Sequence, residues 1–216
     1  GWDQKTGKPI GRAIVWQDKR TTNYCKTLQN QGVEKEIIEK TGLLLDPYFS
    51  ASKLRWINNH FKEEIANKNI LFGTIDTFLL WKLTEGAVYA TDVSNAARTS
   101  LLNISTLDWD QDLIKLFELE KINLPEIKKN ADDFGSTTLF GGKIKISGMA
   151  GDQQAALFGQ TCFEAGDIKS TYGTGCFLIL NTGNQILRSQ NKLLTTIGYK
   201  IDQEVVYALE GSIFIA

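Results

Sequence analysis

Between Gly148 and Gly183 the chain changes its hydrophobic period, and that change confines it to a mixed α/β fold. Gly148-Met149-Ala150-Gly151-Asp152 leads into Gln153-Gln154-Ala155-Ala156-Leu157-Phe158, an amphipathic run whose spacing predicts a helix starting at Asp152. From Asp167 to Gly183 two β-rich runs flank Gly173-Thr174-Gly175, which predicts a hairpin. A carboxylate set behind small, flexible residues is thereby paired with a loop of phosphate size, and the pairing points to phosphoryl transfer.

Two roles are open to Asp152 from local sequence. It can cap the helix, its oxygen accepting from an orphan backbone N–H. Alternatively it projects into a cleft and takes the proton of a hydroxyl that attacks phosphorus. The hairpin is equally open. Gly173-Thr174-Gly175 is either an ordinary tight turn or a place where backbone N–H groups and the Thr174 hydroxyl meet phosphate oxygens. It matches neither the G-x-x-x-x-G-K-[ST] loop nor G-x-G-x-x-G.

Elsewhere the periodicity predicts a strand near Ala13–Trp16 and helices over about Thr21–Gln31 and Glu34–Lys40, the second stopped by Thr41-Gly42. Ser50 starts a further helix in which Leu54, Ile57 and Phe61 recur at helical spacing, with Lys53, Asn58 and Lys62 on its other faces. Asp76 is placed to cap the next, which puts Phe78, Leu79, Trp81 and Leu83 largely in a core. Lys143-Ile144-Lys145-Ile146-Ser147 alternates as an edge or half-buried strand.

Charge excludes some functions. The 24 basic residues are interspersed among 25 acidic ones, for a net charge of −1, which argues against a nucleic-acid or membrane-surface binder. Apolar runs such as Ile70-Leu71-Phe72-Gly73 are far shorter than the roughly 18 residues of a spanning helix. Cys25, Cys162 and Cys176 are odd in number and widely spaced, which disfavours a disulfide framework or zinc site and fits a reducing cytoplasm. His60 reads as a surface residue at a helix end.

Several blocks, taken in order, resemble the glycerol kinases of the FGGY group of sugar kinases. They are Trp2-Asp3 with Thr6-Gly7-Lys8-Pro9, Ala13-Ile14-Val15-Trp16-Gln17-Asp18, and Asp46-Pro47-Tyr48-Phe49-Ser50 running on to Trp56. Thr91-Asp92-Val93-Ser94-Asn95-Ala96-Ala97-Arg98-Thr99, Leu124-Pro125-Glu126, Leu193-Leu194-Thr195-Thr196 and Tyr207-Ala208-Leu209-Glu210-Gly211-Ser212 join the two segments above. The family's opening Asp-x-Gly-Thr-Thr phosphate loop and its Asn-Gln-Arg-Glu segment do not occur, and Met149 is the one methionine, so the expectation is an internal fragment. Lys143 stands where an Arg often appears in members regulated by a sugar bisphosphate, so that regulation is not part of what the resemblance implies.

The resemblance implies an α/β fold of two actin-like, ribonuclease-H-like domains around a deep cleft. Residues 1–151 would form most of the first domain and residues 152–216 the opening strands of the second, with strand edges exposed. It implies transfer of the ATP γ-phosphoryl to a primary hydroxyl of glycerol, with ATP and Mg²⁺ as cofactors. Asp152 would be the base and a candidate Mg²⁺ ligand, and Gln153 would lie beside the polyol. Trp16, Tyr48 and Phe177 would line the polyol site, although without the resemblance Trp16 and Phe177 read as core packing. Gly173, Thr174 and Gly175 would flank the nucleotide phosphates. Expected partners are glycerol and ATP or ADP, with the missing kinase segments or a second copy completing the molecule. A xylulose, ribulose or gluconate kinase, or a non-catalytic remnant, are the alternatives.

Overall fold

The computed structural model describes Gly1–Gly173 and Gly175–Phe214, the last by its backbone alone. Strand β1 (Trp2–Asp3) is followed by helices α1 (Thr22–Asn30), α2 (Glu34–Thr41), α3 (Ser50–His60) and α4 (Lys62–Asn67), and β2 (Ile70–Leu71) returns to pair antiparallel with β1. The three helices expected between residues 21 and 61 are therefore present. The strand expected near Ala13–Trp16 is not, because residues 11–20 are irregular. The Val15 carbonyl accepts from Lys53 Nζ at 2.9 Å and from the Asp18 N–H at 3.1 Å, which removes it from any strand ladder, and the Val15 side chain is 56% exposed.

Helix α5 (Ile75–Leu83) starts two residues earlier than the sequence indicates, with Thr74 rather than Asp76 at its N-cap. Asp76 lies inside the first turn and accepts from the Thr91 hydroxyl at 2.6 Å. The helix is apolar on all faces, so one face must meet solvent. Leu79, expected in the core, is 52% exposed beside Ile75, whereas Trp81 is buried and Phe78 packs edge-on to Trp2 at 5.1 Å.

Strand β3 (Ala90–Asp92) runs into the short helix α6 (Val93–Ala96), and the β4 (Leu102–Asn103) and β5 (Asp108–Trp109) hairpin follows. Asp110 caps α7 (Gln111–Leu116) by accepting from the N–H groups of Asp112 and Leu113. Strand β6 (Glu126–Lys128) lies parallel to β3, and β7 (Ser136–Thr137) pairs with β8 (Ile144–Lys145), an exposed strand shorter than its alternating sequence. Helix α8 (Asp152–Gly159) then leads to β9 (Ile168–Tyr172), β10 (Gly175–Gly183), β11 (Leu194–Ile201) and β12 (Glu204–Phe214), an antiparallel sheet in the order β11-β12-β10-β9. Strands β9 and β10 thus pair antiparallel, as the expected hairpin requires.

Two buried clusters join this sheet to the helical part. Val93, Ala96, Leu102 and Ile104 pack with Ile197 and Tyr207, and the Tyr207 hydroxyl donates to the Ile104 carbonyl at 2.9 Å. Leu157, Cys162, Ile179 and Ala208 fix α8 against the sheet. A separate core under α1, α2, α3 and α7 is built on Leu28, Ile37, Leu54, Phe72, Leu113 and Phe117. Lys53, which helical spacing directs away from the apolar face of α3, is buried as well.

Gly42 ends α2 in the left-handed conformation at φ 76°, and its carbonyl accepts from the Thr195 N–H of β11 at 2.9 Å. A Cβ there would lie 2.1 Å from the Thr195 carbonyl oxygen, a backbone atom that cannot swing aside. Gly42→Ala should combine left-handed strain with overpacking and destabilise the chain by about 3 kcal/mol. Urea unfolding checks this, and a loss below about 1 kcal/mol would mean that the α2–β11 junction is plastic.

Candidate active site

Asp152 is exposed at the first position of α8, and the N-cap is Gly151. The N-cap position thus falls to Gly151, and Asp152 keeps only the part of the capping role in which its carboxylate takes an orphan N–H of the first turn. Its Oδ1 accepts only from the next residue's N–H, Gln153 at 2.9 Å, and its Oδ2 accepts from Gln153 Nε2 at 3.3 Å. At Gly151 a Cβ would sit 2.6 Å from Gln154 Oε1, so a larger residue there would displace the end of the Gln154 side chain. The carboxylate therefore stands at the positive end of the helix, presented outward.

A buried polar network holds this helix start from behind. Asp92 is fully buried, and its carboxylate accepts from the Ser94 N–H at 2.8 Å, the Asn95 N–H at 3.2 Å and Asn130 Nδ2 at 2.8 Å, with the Ser94 hydroxyl a further donor. Burial pushes the Asp92 carboxyl up, and hydrogen bonds from Ser94 and Asn95 pull it back. Ser94 Oγ in turn accepts the Gly151 N–H at 3.0 Å, and Asn130 Nδ2 donates to the Met149 carbonyl at 2.9 Å. The backbone on the approach to Asp152 is thus anchored to residues far away in sequence.

Trp16 and Tyr48 come together, with ring centroids 5.8 Å apart and planes tilted by 59°. Lys53 brings their segments into contact, its buried ammonium donating to the carbonyls of Val15 at 2.9 Å and Tyr48 at 3.0 Å. Trp16 is 42% exposed, which replaces the core-packing reading with a surface wall. The Tyr48 phenol is pushed up by burial, with Arg98 opposing that shift and Glu210 and Asp152 adding to it, so the hydroxyl and Asp152 share one field. Arg98 pairs with the buried Glu210, its Nη2 donating to Oε1 at 2.8 Å and its Nη1 lying 2.8 Å from Oε2. A cavity of about 640 Å³ is bordered by Tyr48, Phe49, Arg98, Glu210 and Ser212. Asp152 and Gln153 do not line it.

Phe177 is half-buried on β10, with Thr171 of β9 and Ser212 of β12 as its register partners. Gly173 and Gly175 bracket the hairpin turn, and the Gly173 N–H donates to the Gly175 carbonyl at 3.0 Å. Among the described residues a Cβ at Gly173 would meet only the Gly175 carbonyl oxygen, at an ordinary contact distance of 3.9 Å. Thr174 lies outside the described residues. Sequence reasoning assigned no role to Asp92, Ser94, Asn130, Lys53, Arg98 or Lys169. The Asp-x-Ser-Asn pattern at Asp92 was a legible capping signal, whereas the others depend on partners distant in the chain.

Among the described residues no helix is long and apolar enough to cross a membrane. Residues 1–159 match the N-terminal domain of the FGGY family of carbohydrate kinases. Glycerol kinase from Rhizobium rhizogenes is 56% identical over 220 residues, covering 100% of this chain and 44% of the relative. The chain therefore spans less than half the length of the curated relatives it matches. The crystal structure of Plasmodium falciparum glycerol kinase with ADP superposes with a TM-score of 0.93 at 41% identity, over 99% of this chain and 44% of that one. A ligand-bound xylulose kinase from Lactobacillus acidophilus, 23% identical with a TM-score of 0.83 over 98% of this chain and 43% of its own, shares the fold.

Proposed function

We propose that this chain, which belongs to the FGGY family of carbohydrate kinases, forms part of a glycerol kinase that moves the γ-phosphoryl of ATP to a primary hydroxyl of glycerol. The observation that carries this reading is the outward-facing Asp152 carboxylate, fixed by Gln153 in front and by the Asp92–Ser94–Asn130 network behind. Asp152 accepts the hydroxyl proton as the oxygen attacks phosphorus, and Gln153 lies beside the polyol. Trp16, Tyr48 and Phe177 shield its carbon chain, with the Tyr48 hydroxyl adding a polar contact. Gly173, Thr174 and Gly175 flank the nucleotide phosphates. On superposition, identity of 41% to a glycerol kinase against 23% to a xylulose kinase supports glycerol as the polyol.

A carboxylate oxygen is a hard donor, and Asp152 offers an exposed pair, which suits Mg²⁺ held by one carboxylate together with water and phosphate oxygens. The ion would neutralise phosphate charge when bound. Within this reading residues 1–151 form most of the first domain and residues 152–216 open the second. Free thiols at Cys25, Cys162 and Cys176 suit a reducing cytoplasm.

The test is a coupled phosphorylation assay on the chain alone and mixed with the Rhizobium rhizogenes kinase segments that lie outside the match. Turnover of glycerol on mixing, with little or none from the chain alone, is expected. Silence from every folded mixture, or preference for xylulose or gluconate in a substrate panel, would overturn the assignment.

A further inference from the structure

We infer that Lys169 is a positioning residue, setting the direction of the Gln153 amide and through it the Asp152 carboxylate. This rests on the kinase reading above. Lys169 lies on β9 with 1% of its surface exposed, opposite Ile179 in the apolar cluster that seats α8 on the sheet. Its ammonium donates to Gln153 Oε1 and, at 3.1 Å, to the Thr171 hydroxyl. Gln153 Nε2 then donates to Asp152 Oδ2 at 3.3 Å.

The chemistry of the three groups makes this relay directional. An amide can present either its oxygen or its NH₂ to a neighbour, but an ammonium only donates and a carboxylate only accepts. Lys169 beneath therefore forces the Gln153 oxygen inward, which leaves the NH₂ facing Asp152. An apolar residue at 169 would remove that anchor, leaving the amide held only by its 3.3 Å bond to Asp152 and free to swing away from the carboxylate. Burying an ammonium without a direct carboxylate partner is unfavourable, and burial does push the Lys169 ammonium down in pKa, with Glu210 and Asp152 opposing. Packing alone would be served at least as well by methionine.

Lys169→Met in the assembled kinase should keep or raise the melting temperature while lowering kcat about 10- to 100-fold, with KM for ATP unchanged and Lys169→Arg restoring part of the rate. In a Gln153→Ala background Lys169→Met should have no further effect on kcat. A readout independent of activity uses the chain itself: Gln153→Leu should lower the melting temperature by leaving the buried Lys169 ammonium without its acceptor, and should not do so in Lys169→Met. Normal kcat in Lys169→Met, an undiminished effect in the Gln153→Ala background, or absence of the thermal coupling would each overturn the inference. If Lys169→Met does not fold, the Gln153→Leu shift in the parent chain decides it, an unchanged melting temperature overturning the inference. Failure of the kinase reading is separately visible as folded mixtures that never turn over glycerol, whatever occupies position 169, and it removes the catalytic role with it.

Discussion

Asp152→Asn in the assembled kinase is expected to lower kcat about 10²- to 10⁴-fold, the range set by removing a positioned general base. The substitution is nearly isosteric, and the side chain is exposed, so the fold should be little affected. Stability should change by less than about 0.5 kcal/mol. Asparagine keeps one oxygen for the Gln153 N–H, now accepted at 2.9 Å, but its amide carries no lone pair basic enough to take a hydroxyl proton. KM for glycerol should move far less than kcat, because the aromatic wall of Trp16 and Tyr48 does not depend on Asp152. Steady-state kinetics with a thermal melt of the same preparation separate the two effects. A loss of less than about tenfold would remove Asp152 from the base role and leave its helix-start placement without a catalytic purpose.

How much of this was legible in the sequence depends on how far apart the partners are. Helices α1, α2 and α3 follow from local apolar spacing, and Gly42 marks the end of α2 because the left-handed conformation there admits little else. The hairpin of β9 and β10 follows from two β-rich runs around a glycine turn. Val15 and Trp16 read as a strand on composition, yet what fixes them is a lysine 38 residues away. Asp76 lost its cap role to Thr74 because the Thr91 hydroxyl, 15 residues on, engages its carboxylate. Lys53 and Lys169 illustrate the same limit in the core: a single sequence places lysine outside, whereas here backbone carbonyls and a glutamine supplied by other elements receive the buried ammonium groups. The start of α8 at Asp152 was legible from its local motif, whereas the shift of the N-cap by one residue to Gly151 was not.

Asp92→Ala should destabilise the chain by about 4 kcal/mol, a figure that combines the loss of an N-cap with the stranding of several buried donors. The N–H groups of Ser94 and Asn95 and the amide of Asn130 all donate to this carboxylate, and none gains a replacement acceptor from a methyl group. Ser94→Ala should be milder, at about 2 kcal/mol, since it strands chiefly the Gly151 N–H. The two substitutions differ in what else they disturb. Ser94→Ala severs the link from the network to the residue before Asp152, so in the assembled kinase it should reduce kcat by more than its effect on stability predicts. Asp92→Asn keeps an oxygen in place and should recover much of the stability lost in Asp92→Ala. Urea unfolding of the three variants measures the order directly. If Asp92→Ala proved no worse than Asp92→Asn, the carboxylate would be dispensable to the network, and the rigid placement of Asp152 would have to come from α8 packing on Ile179 and Ala208 instead.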